Sequence, residues 1–415
     1  MSETVVIRGA GLLDVDAGEV LGDRQILIAD GRIQAIQRAG EPTPDGAAAL
    51  DLTGMTVLPG LIDCHSHLIG ELEYAGIPAT TTSAAEEAMT GVANARATIE
   101  AGFTSVRDVG TFRAFVDVAL RNAIDRGWVI GPRMQCAGAY VTSPGGAGDV
   151  TGLALDIMLP ADLRFGVVRS PAEARQKVRE LVARGADLIK VLATGAVLTR
   201  GTKVGVVELD EATIRAVVEE ANAHGVFVAA HAHGSEGIKV AIRAGVRSIE
   251  HGSLVDDEAI AMLADTGTYW VADLYCGDWI EEAGTRERWP DETLEKNRLT
   301  TDAQREGFRK AVAAGVRLPF GTDSGVYPHG LNARQLPYLV RYGMTTAEAL
   351  RSATVVAAEL MGWGDRVGRL APGSVADLIG VVGDPLADVA ILSDVPIVMK
   401  AGMVVKDARA TSLPG

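Results

Sequence analysis

Apolar and polar positions alternate with a period of two at both ends of the chain and take helical spacing in between. Residues 4 to 58 break into short β-like runs, Val5 to Arg8, Gln25 to Ile28 and Arg32 to Ile36. Turn dipeptides such as Asp30-Gly31 separate them, which reads as hairpins. Residues 367 to 408 repeat the pattern in Val367 to Leu370, Asp377 to Val382 and Ile397 to Val405, the last broken by the turn-like Lys400-Ala401-Gly402. Strand-rich sequence at both ends predicts one small β domain assembled from residues 1–58 and 366–415.

Between these ends a helical segment, a glycine and a short apolar strand recur. The glycines are Gly102, Gly185, Gly225, Gly245, Gly267 and Gly315, each reading as the residue that ends a helix. In the segment from Pro171 to Arg184, Ser170 can cap, Pro171 occupies the first turn, and Val178, Leu181 and Val182 form an apolar stripe before Gly185. Asp210 to His224 repeats this with Ile214, Val217, Val218 and Ala221, and His224 reads as a C-terminal cap. Strands at Val57 to Asp63 and Arg133 to Ala137 complete eight strand candidates alternating with helices. That count predicts an α/β chain whose residues 59–365 close into a (β/α)8 TIM-type barrel, with its chemistry at the C-terminal ends of the strands.

Composition narrows the function. The 415 residues include 39 Lys or Arg and 54 Asp or Glu, a net charge of −15, which disfavours nucleic acid or an anionic membrane as partner. No run approaches the roughly 18 apolar residues of a membrane span. Cys64, Cys136 and Cys276 are scattered with no CxxC, suggesting neither a disulfide framework nor a thiolate zinc site. The first ten residues lack a basic region followed by an apolar stretch, so the expected location is the cytoplasm.

The candidate chemistry lies at the strand ends. His65 and His67, in Asp63-Cys64-His65-Ser66-His67, are two residues apart on a strand and so share a face, forming half of a metal site. Counted from the capping glycines, Lys190 lies five residues on, His231 six, His251 six and Asp323 eight, so five strands deliver ligand-type residues to one rim. A lysine inside Ala186-Asp187-Leu188-Ile189-Lys190-Val191-Leu192 is costly to bury unpaired. Neutralised, its amine can react with carbon dioxide to give a carbamate able to bridge two metal ions; a salt bridge to Asp108 or Asp323 is the other reading. His231 and His251 taken singly could be core histidines, and Asp323 could cap a turn.

Together Pro59-Gly60-Leu61-Ile62-Asp63-Cys64-His65-Ser66-His67, Ile189-Lys190, Val228-Ala229-Ala230-His231-Ala232-His233-Gly234, Ile249-Glu250-His251-Gly252 and Gly321-Thr322-Asp323 resemble the amidohydrolase superfamily. The resemblance implies a composite β-sandwich beside the barrel and a binuclear divalent metal centre, usually zinc. It places His65 and His67 on one metal, His231 and His251 on the other, carbamylated Lys190 as the bridge, and Asp323 against metal at the reaction face. His231-Ala232-His233-Gly234 and Tyr327-Pro328-His329-Gly330-Leu331-Asn332-Ala333 resemble the branch of Xaa-Pro and Xaa-Arg/Lys dipeptidases and carboxypeptidases, with imidazolonepropionases and ochratoxin amidases as kin. Members of that branch carry Gly-Gly-His where this chain reads Ser143-Pro144-Gly145-Gly146-Ala147-Gly148-Asp149, a departure that bears on the narrower dipeptidase assignment. Resemblance also implies a homo-oligomer, up to an octamer.

The reaction implied is hydrolysis of a small amide or peptide-like substrate. Metal-activated hydroxide attacks, one metal polarises the carbonyl, and Asp323 carries the proton to the leaving amine. His233 or Tyr275 could stabilise the oxyanion, and His233 could instead hold a substrate carboxylate or act as support. His329 reads as substrate-binding, and Arg200, Lys203 or Arg334 are the cations available to an acidic substrate. The stretches from Ala139 to Arg164 and from Gly277 to Arg298 read as loops over the site. A cyclic-amide hydrolase, a mononuclear deaminase without need of Lys190, a non-enzymatic relative and a module with purely structural metal are the competing readings.

Overall fold

The strands Leu61–Ser66, Phe103–Asp108 and Leu188–Leu192 are buried at every position. Strands covered by helices outside and by packed side chains inside must be so. In the computed structural model, which describes residues 4–69, 78–154 and 156–409, these strands belong to a closed parallel barrel. One arc orders Arg133–Cys136, Phe103–Asp108 and Leu61–Ser66; the other orders Tyr140–Val141, Leu188–Leu192, Phe227–Gly234, Ser248–Leu254 and Tyr269–Val271. The third barrel strand joins the arcs, pairing on one side through Arg133–Cys136 and on the other through Tyr140–Val141, with a kink at Gly138, φ +79°. Extended residues 317–323 close the ring: Trp270 N donates to the Arg317 carbonyl, Cys64 N to that of Phe320, and Asp323 N to that of His65. Eight staves result, as the helix–glycine–strand recurrence predicts.

Local chemistry sets the helices. Ser170 Oγ accepts from Glu173 N with Pro171 in the first turn, and Asp210 accepts from Thr213 N. Gly185 and Gly225 follow the helix ends at φ +98° and +72°, and His224 is the C-cap before Gly225.

Two further sheets pack at the barrel's side. A four-stranded sheet orders Arg32–Arg38, Arg24–Ala29, Val5–Arg8 and Ala48–Asp51; a six-stranded sheet orders Met403–Asp407, Ile397–Lys400, Leu378–Val382, Met55–Pro59, Gly11–Asp14 and Glu19–Leu21. Ile7, Ile26, Ile28 and Ile33 from one meet Leu12, Val57, Leu378 and Ile397 from the other in one core, a sandwich drawing on both ends of the chain.

Three expectations need correction. The strand expected at Val57 to Asp63 is two strands, Met55–Pro59 in the sandwich and Leu61–Ser66 in the barrel, divided at Gly60. Val367 to Leu370 is not a strand: the amides of Arg366 and Val367 both bond to the Trp363 carbonyl, and Gly368 turns the chain at φ +89°. The charged stretch from Gly277 to Arg298 is not a loop but lies in two helices, Cys276–Glu287 and Asp291–Ala313, its charges on their exposed faces. Among the described residues no helix is long and apolar enough to cross a membrane.

Candidate metal centre and its cavity

The first strand delivers His65 and His67 to the barrel mouth with ring centroids 5.4 Å apart. Each ring is oriented from behind. His65 Nδ1 lies 2.9 Å from Glu250 Oε2, and His67 Nδ1 lies 2.7 Å from the Gly110 carbonyl, so both rings carry their proton on Nδ1. Their Nε2 lone pairs then converge, each 3.3 Å from Asp323 Oδ1. Three acceptors facing one another repel unless a cation lies among them. His65 Nε2 and His231 Nε2 are also buried with no hydrogen-bond partner among the described residues. Unpartnered, converging nitrogen and carboxylate donors fit a divalent metal ion.

The remaining imidazoles close the cluster. His231 and His251 stack edge-on at 4.5 Å, His65 and His251 at 4.7 Å, and His231 and His233 at 4.6 Å. The ligand atoms of His231, His233 and His251 lie within 4.8 Å of one another, as do those of His65, His251 and Asp323. His251 and Asp323 adopt left-handed backbone at φ +67° and +59°, a strain of about 1–3 kcal/mol each that concentrates at functional sites. Gln304 holds His251 there, donating to its carbonyl and to Asp273 Oδ1, while Asp273 Oδ2 takes His251 Nδ1 at 3.1 Å.

Electrostatics follow burial. Burial works against the Asp323 charge, but positive charge at the His65 and His67 ring nitrogens, carried by a proton when no metal cation is there, outweighs it and holds the carboxyl well below the usual carboxylate range. Burial pushes His233 down to about 3, helped by His251. Burial also pulls Lys190 down to about 8 against the opposing pull of Glu250 and Asp323. Lys190 is 2% exposed. Among the described residues its amine has no carboxylate within 4.0 Å, so the salt bridge to Asp108 or Asp323 is not made. Asp108 instead accepts from the amides of Leu68 and Gly110.

One cavity of about 180 Å³ opens from these groups, lined by His67, Lys190, His231, His233, His251 and Asp323 at its floor and by Phe112, Tyr140, Leu198, Ile280 and Val326 on its walls. Ala147 to Gly152 and Arg200 lie along it. His65 sits behind the floor, fully buried.

Four expected substrate groups lie elsewhere. The seventh strand ends at Val271 and a helix begins at Cys276, so Tyr275 turns into an aromatic cluster with Tyr327 and Tyr338 and is outside the cavity lining. Its hydroxyl accepts from Arg334 Nη1 at 3.0 Å, which removes Arg334 as a substrate cation too. His329 spends both ring nitrogens on the protein, Nε2 on the His67 carbonyl and Nδ1 on Thr98 Oγ1, each at 3.0 Å, and so braces the His67 segment. Lys203 is exposed and outside the lining.

Sequence reasoning missed the groups behind the histidines. Arg107 Nη2 meets Glu250 Oε1 at 2.7 Å, Arg107 Nε donates to the Cys64 carbonyl at 2.6 Å, and both side chains are buried. Burial opposes the Glu250 charge, but Arg107, His65 and Lys190 together outweigh it and keep Glu250 well below its usual range. A Glu between Ile249 and His251 in a barrel strand was the available signal.

With the barrel and its histidine–carboxylate mouth established, the chain belongs to the amidohydrolase family, which it matches over residues 56–405. It is a hydrolase acting on carbon–nitrogen bonds. The ochratoxinase of Aspergillus niger is 31% identical over 409 residues, spanning 94% of this chain and 84% of that protein. The imidazolonepropionase of Chromobacterium violaceum is 29% identical over 391 residues, spanning 85% of this chain and 84% of its own. A solved Xaa-Pro dipeptidase with methionine bound in its active site superposes with a TM-score of 0.92 and 35% identity, covering 97% of this chain and 100% of that one.

Proposed function

We propose that the protein is a binuclear, zinc-dependent amide hydrolase acting on a small peptide-like substrate, a dipeptide or an N-acyl amino acid, with an ochratoxin-type or cyclic amide as the alternative. The observation that carries this reading is Lys190, a buried amine without a carboxylate partner among the described residues, beside converging imidazoles and Asp323. Its neutral form reacts with carbon dioxide, the nitrogen lone pair forming an N–C bond and one proton leaving, to give a two-oxygen anion suited to bridging. His65 and His67 would hold one ion through Nε2, His231 and His251 the other, and Asp323 would face the reacting side. When bound, such ions polarise an amide carbonyl and lower the pKa of water.

The chain's own groups supply the rest. Asp323, anionic and beside His65 and His67, accepts the proton of the attacking water and delivers it to the leaving nitrogen. His233, kept neutral by burial, shares a hydrogen bond of 2.9 Å between Nδ1 and Ser253 Oγ, and in the tautomer in which Nδ1 accepts it would present Nε2–H to the carbonyl oxygen. Assembly as a homo-oligomer belongs to the same proposal and is read by sedimentation.

The test is amino-acid release by zinc-loaded protein in bicarbonate from dipeptides, N-acyl amino acids and ochratoxin-type amides, beside Lys190→Ala. Release that the substitution abolishes supports amide hydrolysis at this centre. No release from any of them, with two metals bound per chain, would move the assignment to cyclic amides.

A further inference from the structure

Tyr275 is turned away from the cavity, but Tyr140 brings a phenol to it from the third barrel strand. Tyr140 pairs in register with Lys190 on the next strand, and side chains at paired positions share one face of a sheet, so its ring rises from the level of the floor. Its hydroxyl oxygen lies 3.3 Å from His67 Nδ1. Two glycines shape a slot for the ring. A Cβ on Gly110, φ +115°, would come 2.9 Å from Tyr140 Cδ1 and Cε1, and one on Gly148, φ +79°, 3.1 Å from Cδ2. Phe112 meets the same ring edge-on at 5.3 Å. A ring confined in this way holds its hydroxyl in place before any substrate arrives.

That hydroxyl has an unspent hydrogen. A carbonyl oxygen can only accept, so the 2.7 Å contact between His67 Nδ1 and the Gly110 carbonyl puts a proton on Nδ1. The nitrogen then has no lone pair to offer Tyr140, whose oxygen can at most accept a share of the same N–H. Among the described residues the Tyr140 hydroxyl has no other hydrogen-bond partner. A phenol, with an ordinary pKa of about 10, keeps its hydrogen at neutral pH. The ring is only partly buried, and the direction left to the O–H is the cavity that the ring lines. Phe112, Ala147 and Gly148, which line the cavity beside it, bring no side-chain donor.

Granted the amide-hydrolase reading above, we infer that Tyr140 is a further catalytic residue, whose phenolic hydrogen bonds the oxygen that turns anionic when water oxygen adds to the scissile carbonyl carbon. In that addition the carbonyl π pair moves onto oxygen. When the C–N bond breaks the pair returns, and the nitrogen takes its proton from Asp323, so the phenol keeps its own hydrogen throughout. His233 stands on the fifth strand beside His231, and Tyr140 on the third beside His67. A carbonyl lying across the floor between them is reached from both sides. A neutral donor fixed in advance favours the developing charge over the uncharged carbonyl, and so acts on kcat rather than on binding.

The experiment uses Tyr140→Phe in zinc-loaded full-length protein, which keeps the ring in its slot and removes only the hydroxyl. Hydrolysis of the best-cleaved amide of the panel above is measured beside calorimetric binding of methylphosphonate, a tetrahedral oxyanion with no amide bond. The expected result is a kcat lower by about 100-fold with KM little changed, and a methylphosphonate affinity lower by about tenfold. Zinc content and Tm should match the parent's. A kcat close to the parent's, a loss confined to KM, or a methylphosphonate affinity that the substitution leaves unchanged would overturn the inference. Loss of zinc or of Tm in the variant would overturn it as well, by making Tyr140 a support of His67. Weaker methylphosphonate binding in the variant of a parent that cleaves no amide would instead sink the amide-hydrolase reading and leave the oxyanion donor standing.

Discussion

Glu250→Gln probes the frame on which the histidines rest. Glu250 is fully buried and receives three donors: Arg107 Nη2 at 2.7 Å, Ser248 Oγ at 2.5 Å and His65 Nδ1 at 2.9 Å. A glutamine offers one oxygen to these donors, turns an NH2 towards the others, and leaves the buried Arg107 guanidinium without its counter-charge. Breaking a buried pair from one side costs about 3–5 kcal/mol. With an unfolding entropy of about 2.1 cal/mol/K per residue, a chain of 415 residues should lose about 3–6 °C in Tm. Metal affinity should weaken about 10- to 100-fold as His65 loses its anionic acceptor. Scanning calorimetry at fixed metal concentration and a competitive chelator titration read the two effects. Arg107→Met combined with Glu250→Gln should recover much of the Tm, because no charge is then stranded. A single variant within about 1 °C of the parent, or a double variant no better than the single, would refute this account of the pair.

Two other perturbations follow from local geometry. Gly252→Ala places a Cβ 2.3 Å from Trp270 Nε1 at φ +62°, and Trp270 Nε1 donates to the His251 carbonyl alongside Gln304; a loss on the order of 2–4 kcal/mol with weakened metal binding is expected, and a Tm equal to the parent's would contradict it. Asp117 is fully buried, and burial, with the charge of Asp108 adding to it, pushes its carboxyl up to about 7. The native state therefore keeps a proton that the unfolded chain has lost between about pH 4 and 7, and this group's contribution to stability falls as pH rises through that window. Asp117→Asn should gain on the parent in Tm across the same window, and parallel Tm curves would count against the shift.

Much of the fold was legible because it depends on local grammar: a cap, an apolar stripe and a glycine repeat from Ser170 to Gly185 and again from Asp210 to Gly225. The six ligand-type residues were legible for a related reason, since strand ends in a barrel share one rim and a lysine between Ile189 and Val191 has no structural excuse. What stayed hidden are side-chain directions and long-range partners. Arg107 and Glu250 are 143 residues apart and meet only inside the closed barrel. Tyr275 and His329 sit near the rim in sequence, yet one turns with the start of a helix and the other braces the His67 carbonyl. Val367 has strand-like neighbours, but its backbone is consumed by a turn at Trp363.

The central claim, a bridged two-metal centre built on Lys190, is tested most directly by loading the protein with zinc in ¹³C-bicarbonate, counting metal by mass spectrometry and recording the ¹³C spectrum. The account predicts two zinc ions per chain and a carbamate resonance, with both the resonance and full metal retention lost in Lys190→Ala. A single zinc per chain with no carbamate signal, unchanged by the substitution, would contradict it.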